Sequence, residues 1–257
     1  MSAESKPCDL ERLACALKAT LDEERAGRGI GTLGEKTLHS VLKNYFEPSP
    51  ENHEIKVQGF VADIVNDAGV TEIQTRSFDR LRRKLNAFLE VTPVTVVCPV
   101  VRKKELIWLD TDTGEASKKR KSPKTGKPCH AMRELCRIHE FLGHENLTVC
   151  VLMLDCEEYR TLDGWDKSKK RGSTRYERIP VALCEEIYLK NKSDYAALLP
   201  DSLPDTFTAA QFRRAVGFGG MSAGFALKAF VELGICEQSG KRGRAFLYTK
   251  KENDHAN

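Results

Sequence analysis

The stretch from Phe60 to Arg76 constrains the fold of this 257-residue chain more tightly than any other. Phe60-Val-Ala-Asp63-Ile-Val-Asn66 and Val70-Thr-Glu72-Ile-Gln74-Thr-Arg76 read as two short strands of alternating character around the turn signal Asp67-Ala68-Gly69. With Asp67-Ala68 as a two-residue loop, Asn66 pairs with Gly69 and Asp63 falls opposite Glu72. Side chains share a face every second residue, so Gln74 joins that face while Ile64 and Ile73 point away. Two opposed carboxylates have Cβ atoms about 4.5–5.5 Å apart and repel one another. A chain that keeps such a pair needs a proton, a cation or a metal ion to neutralise it.

The flanking sequence supplies layers for this hairpin. Leu10, Leu13, Leu17 and Leu21 recur at helical spacing, and the helix they imply ends near Gly27, where Arg28-Gly-Ile-Gly-Thr32 breaks it. A second helix carries Leu38, Val41, Leu42, Tyr45 and Phe46 as its apolar stripe and is closed by Pro48 and Pro50. A strand over His53–Val57 precedes the hairpin. A helix from Phe78 to Glu90 follows, with Leu81, Leu85, Phe88 and Leu89 on one side and Arg80, Arg82, Arg83 and Lys84 on the other. Val94–Val101 is a β-branched run suited to a strand buried on both faces, and Glu105–Asp110 reads as another strand. Ala131–Leu142 is helical in pattern and Leu147–Asp155 is a further buried strand. This order predicts an α/β fold with a mixed central sheet flanked by helices.

Beyond Pro204 the pattern changes. Thr208-Ala-Ala-Gln211 is a capping box opening a helix to about Val216, and Ser222–Leu233 is a second helix. Ile235–Gln238, a basic turn at Ser239–Gly243 and Arg244–Thr249 complete a helix–turn–helix with a small hairpin, the plan of a winged helix. A short helix is expected at Asp194–Leu199. The expected organisation is an N-terminal helix (1–29), an α/β domain (30–190), a winged-helix domain (191–250) and a disordered tail (251–257).

Composition narrows the classes. Hydrophobic residues make up 40%, enough for a core, and the net charge of +4 is too small to argue for nucleic acid unless the charges cluster. They do. Ser117–Pro128 holds six basic residues and no acid, Trp165–Arg178 holds six against two acids, and both read as exposed loops. Nine cysteines without a Cys-x-x-Cys spacing disfavour a zinc ribbon and a disulfide scaffold. His130, His139 and His144, near Cys129 and Cys136, fit no zinc spacing and read as satisfied polar residues. The first residues lack the apolar core of a signal peptide, and no run of about 20 apolar residues suits a membrane helix. A cytoplasmic, reduced protein with no membrane contact is the expectation.

Phosphodiester hydrolysis asks for a hard cation, an activated water and charge stabilisation at phosphorus. Asp63 and Glu72 are suited to hold Mg2+ or Mn2+, with the Ile73 carbonyl as a third oxygen. Gln74 could orient the water by hydrogen bonding. Glu35 would meet the metal or its waters from the second helix.

A helical Glu35, then Asp63, then Glu72-Ile-Gln74 after a hairpin resembles the PD-(D/E)XK (restriction-endonuclease-like) nuclease superfamily over roughly residues 30–156. The whole chain also resembles a group of bacterial proteins that join this nuclease-like half to a winged-helix tail. The resemblance implies that Asp63 and Glu72 hold the metal, that Gln74 ends the tripeptide and that Glu35 is the helical acid. Two departures stand out. Ala62 precedes Asp63 where proline is common, and Gln74 replaces the usual lysine, so Lys56 and Lys36 become candidates for a displaced lysine.

The expected activity is therefore metal-dependent hydrolysis of DNA, with RNA open and a homodimer suited to two-strand cutting. Lys118, Lys119, Arg120, Lys121, Lys124, Lys169, Lys170 and Arg171 would hold phosphates, as would Lys241, Arg242 and Arg244 on the hairpin tip. Trp165 and Tyr176 could stack on bases. Two alternatives follow from the same residues. One is a nuclease-fold DNA-binding or regulatory protein that has lost its chemistry. The other is a protein-interaction module of a defence or mobile-element system.

Overall fold

In a computed structural model, residues 3–27, 36–110, 113–161, 174–218 and 220–251 are described. β1 (Glu4–Pro7) leads into α1 (Leu10–Gly27) and α2 (Lys36–Phe46). β2 (His53–Val57), β3 (Phe60–Asn66) and β4 (Gly69–Ile73) form a meander. A 3₁₀ turn (Phe78–Leu81) and α3 (Arg82–Phe88) then cross to β5 (Val94–Leu109). β6 (Arg120–Lys121) lies beside β5, and α4 (Met132–Leu135) is flanked by 3₁₀ turns at Pro128–Ala131 and Cys136–Phe141. β7 (Leu147–Thr161), β8 (Thr174–Leu189) and α5 (Lys192–Ala196) complete the larger part. The C-terminal part holds β9 (Thr206–Thr208), α6 (Ala209–Val216), α7 (Gly220–Glu232), β10 (Cys236–Arg242) and β11 (Ala245–Lys250).

The hairpin has the register its turn specifies. Asn66 pairs with Gly69, Val65 with Val70 and Ile64 with Thr71. Glycine is required at 69 on two counts. Its φ is +109°, and a Cβ there would sit 2.3 Å from the Pro93 carbonyl oxygen.

Among the described residues the central sheet runs β1-β8-β7-β5-β4-β3-β2, with β6 on β5. β4, β5 and β7 are parallel and their neighbours antiparallel, so the sheet is mixed. Helices cover both faces. Val96, Val149 and Val151 face α3 and α4, whereas Val97, Cys150 and Leu152 face α1 and α2. This two-sided burial explains the unbroken apolar runs in β5 and β7.

Several expectations need correction. Leu10 and Leu21 are exposed, and α1 buries Leu13, Ala16 and Thr20. The two strands expected over 94–110 are one strand, kinked by a register shift between Val101 and Lys103. The 117–128 segment lies along β5: Ser117, Ser122 and Gly126 donate backbone N–H groups to Trp108, Lys104 and Arg102. Residues 174–178, read as loop, begin β8, which sequence reading missed together with β1 and β9. The break at 28–32 and residues 252–257 lie outside the described residues.

In the C-terminal part, Thr208 caps α6, exchanging hydrogen bonds with Gln211 as expected. β10, β11 and β9 form a three-stranded sheet. One apolar cluster runs from Phe207, Phe212 and Phe230 through Leu135 and Ile138 to the central sheet, so the part beyond 191 is packed against the rest. The histidines serve this seam: His130 Nε2 lies 2.8 Å from the Val216 carbonyl, and His139 Nδ1 lies 2.9 Å from Glu232. All nine cysteines are free thiols.

Candidate active site

The antiparallel ladder of β3 and β4 closes its last pair at Ile64 and Thr71. One step further lie Asp63 and Glu72. Continuing the ladder would give the Ile73 N–H to Ala62. Instead, Asp63 Oδ2 accepts it at 2.8 Å, so a side chain replaces a backbone carbonyl. His39 on α2 places Nε2 3.2 Å from the same oxygen. The Asp63 side chain remains 19% exposed.

Glu72 is almost wholly enclosed, its side chain 2% exposed. Lys84 of α3 donates to both of its oxygens, at 2.9 and 2.8 Å. This corrects the sequence reading, which assigned Lys84 to the outer side of the helix with the arginines. The signal was present: Lys84 follows Leu81 by three and precedes Phe88 by four, so it borders the buried stripe. Lys56 is exposed on β2 opposite Val61, and Lys36 begins α2 with its side chain outside the described residues. Lys84 is thus the lysine at the pair.

The electrostatics follow. Burial and the adjacent Asp63 charge push Glu72 up to about 7, even with Lys84 alongside. Burial also acts to raise Asp63, but His39, the Ile73 N–H and Lys84 outweigh it and hold the carboxyl below its ordinary value. The pair therefore divides, with Asp63 held ionised and Glu72 resisting ionisation.

Gln74 leaves the strand. Its N–H meets the Val97 carbonyl at 3.0 Å, while its side-chain amide donates to the backbone oxygens of Arg76 and Ser77. Its carboxamide holds the turn into α3. Glu35 lies outside the described residues, as do Trp165, Lys169, Lys170 and Arg171. Among the described residues no group of three His, Cys, Asp or Glu side chains is placed to hold a metal ion.

The basic residues are distributed as follows. Lys118, Arg120, Lys121 and Lys124 are exposed along β5, and Lys119 reaches Glu157 of β7. Lys241, Arg242 and Arg244 are exposed on β10 and its turn, with Lys241 over the Phe246 ring. Among the described residues no helix is long and apolar enough to cross a membrane.

Fold and site together define a mixed α/β protein with a buried, cation-braced carboxylate pair on its central hairpin. The chain belongs to the family described as a domain of unknown function (DUF8091), whose model matches residues 36–190 and so spans the pair and Lys84. It is 31% identical over 223 residues to a protein of Treponema pallidum (strain Nichols) described as "Uncharacterized protein", the match covering 86% of this chain and 88% of that one. No solved structure matches the chain.

Proposed function

We propose that this protein is a metal-dependent phosphodiesterase of the restriction-endonuclease-like class acting on DNA. The observation that carries the reading is the Asp63–Glu72 pair at the open end of the β3–β4 hairpin, with a lysine from the next helix bonded to Glu72. The strand order supports it: a three-stranded antiparallel meander, a crossover helix and a parallel fourth strand carry the acids at their centre. The β9–α6–α7–β10–β11 order supports a winged helix behind it.

The donor set fits a hard cation, because two carboxylates suffice for a magnesium-type ion and the Asp63 side chain keeps a face open to solvent. Asp63 and Glu72 would hold Mg2+ or Mn2+, which supplies an activated water and charge stabilisation at phosphorus. Lys84 provides the positive charge that Gln74 lacks, and His39 and the Ile73 N–H orient Asp63. Supercoiled plasmid incubated with Mg2+ or Mn2+ tests the reading. Cleavage is expected, abolished by Asp63→Ala and by EDTA and strongly reduced by Lys84→Met. Cleavage that survives Asp63→Ala would sink it.

A second reading has its own observation. Lys84 already occupies both Glu72 oxygens, so the pair can stand as an internally neutralised brace in a DNA-binding protein without chemistry. DNA binding indifferent to metal and to Asp63→Ala, without cleavage, would select it.

A further inference from the structure

The seam between the larger part and the C-terminal part holds a recess lined by none of the residues of the carboxylate pair. Ala210, Arg213, Arg214 and Gly217 recur at helical spacing along α6 and, with Phe218, line an open recess of about 380 Å3. Phe218 joins it to the α4 side. The Arg133 guanidinium lies 5.1 Å from the centre of that ring, and His130 meets the ring edge-on at 5.7 Å. A helix C-terminus draws cations, yet at the end of α6 His130 already meets the Val216 carbonyl. The Arg213 and Arg214 side chains are exposed and make no hydrogen bond or ion pair among the described residues.

The chain on both sides of the recess is free of acids. Residues 117–133 and 206–218 hold nine Lys and Arg and no Asp or Glu. The nearest acids in sequence are turned elsewhere: Glu134 lies 3.8 Å from Arg137, and Asp205 lies 3.9 Å from Lys250. The basic segment along β5 leads to this place. Gly126 seats it closely, because a Cβ there would lie 2.0 Å from the Val101 oxygen, and Lys127 donates its backbone N–H to His130 Nδ1 at 3.3 Å. His130 therefore accepts through Nδ1 while Nε2 donates to Val216, as a neutral imidazole does. Burial holds it below its ordinary value, and the charges of Arg133 and Lys127 act in the same direction.

We propose that this recess binds a phosphate group, held by Arg213 and Arg214 of α6 with Arg133 of α4 beside Phe218. Guanidinium forks match phosphate oxygens in bidentate pairs, and three of them without a carboxylate partner suit a ligand of more than one negative charge. A recess of this volume falls in the range of small-ligand sites. The phosphate belongs either to a free phosphorylated compound or to a nucleic-acid backbone that reaches the recess along the basic segment. The recognising chemistry is the same in both cases, and it does not depend on cleavage at Asp63 and Glu72.

Two probes test it, both in EDTA: pyrophosphate by titration calorimetry, and a short labelled DNA duplex by fluorescence anisotropy across a salt series. Binding of at least one is expected. The double variant Arg213→Gln, Arg214→Gln should weaken pyrophosphate binding roughly tenfold or more. For the duplex it should lower the slope of log K against log salt by about 2. Arg133→Gln, from the α4 side, should act in the same direction, whereas Lys18→Gln, which removes an exposed charge from α1, should change neither reading. Thermal melts identify the variants folded at the assay temperature, and Arg213→Gln alone serves if the double variant unfolds. An effect confined to pyrophosphate identifies a free phosphorylated ligand, and an effect on the duplex identifies a backbone. No binding of either probe, or losses no larger than that of Lys18→Gln, would overturn the site. Absence of cleavage with this binding intact would fell the nuclease reading and leave the phosphate site standing.

Discussion

Glu72 and Glu158 are both 1% exposed, both sit in the central sheet and both accept hydrogen bonds from cations. They nevertheless sit at opposite ends of the carboxylate range. Glu72 has one lysine and a neighbouring aspartate, and burial with that second charge pushes it up to about 7. Burial acts to raise Glu158 too, but Lys104, Arg178 and Arg160 together draw it down to about 2. Glu72 lies deeper, and the two also differ in their partners, one lysine and an aspartate against three cations. A site short of positive charge calls for a proton or a metal ion. A carboxylate ringed by cations is held ionised by the protein itself.

The strongest way to break this comparison is to delete each acid in turn. Glu158→Ala removes the buried acid that three cations share and should cost about 3–5 kcal/mol at pH 7, as removal of one side of a buried ion pair does. Glu72→Gln removes a charge the site already resists and should cost far less. Urea unfolding of both variants measures this, and equal losses would show that the two environments do not differ as described. A metal ion should separate them next. At 100 times its Kd, Mn2+ should stabilise the wild type by about 2.7 kcal/mol, seen as a rise in Tm. The rise should vanish in Asp63→Ala and persist in Arg160→Gln.

pH offers a third and somewhat smaller test, with opposite signs at the two sites. Glu72 is raised in the folded state, so its stabilising effect is full below about 4.5 and is lost as pH climbs through about 7. Glu72→Gln should therefore gain on the wild type by about 2 kcal/mol between pH 5 and 7. Glu158 is depressed, so its effect is full above about 4.5 and lost as pH falls toward 2. Stability curves of the two variants against the wild type should diverge in those separate windows.

The sequence disclosed one of these carboxylates and hid the other, for a physical reason. Asp63 and Glu72 are related by a two-residue turn, and a turn residue such as Gly69 fixes register locally. Their hydrophobic neighbours Ile64 and Ile73 join the apolar cluster under α1 and α2. Glu158 lies in Asp155-Cys-Glu-Glu-Tyr-Arg160, which reads as polar surface until Lys104 and Arg178 arrive from strands 54 and 20 residues away. The start of β8 was unreadable for the same cause, since Arg175, Glu177 and Arg178 carry no apolar alternation, whereas Ile179, Val181, Leu183, Ile187 and Leu189 beyond it do recur at period two and were passed over. Lys84 was an intermediate case. Its spacing from Leu81 and Phe88 places it at the border of the buried stripe, but only the fold shows that Glu72 stands there. Asp63, by contrast, meets His39 through the packing of α2 on the sheet, which no local pattern in the sequence encodes.

The smallest effect concerns the acid one residue before Glu158. Glu157 meets Lys119 of the basic segment and the Tyr159 hydroxyl, but on the side of the strand where Lys119 is 55% exposed. Water there already solvates Lys119, and Glu157 keeps the Tyr159 hydroxyl as a second partner, so the ion pair gains little from forming. Lys119→Gln should leave Tm unmoved in a thermal melt, whereas Lys104→Gln, one strand position from the same acid cluster, should lower it measurably. If the two substitutions act alike, cation count alone governs this part of the sheet and the burial of Glu158 has no special role. If only Lys104→Gln acts, the burial of Glu158 is what makes a cation contact on this sheet count towards stability.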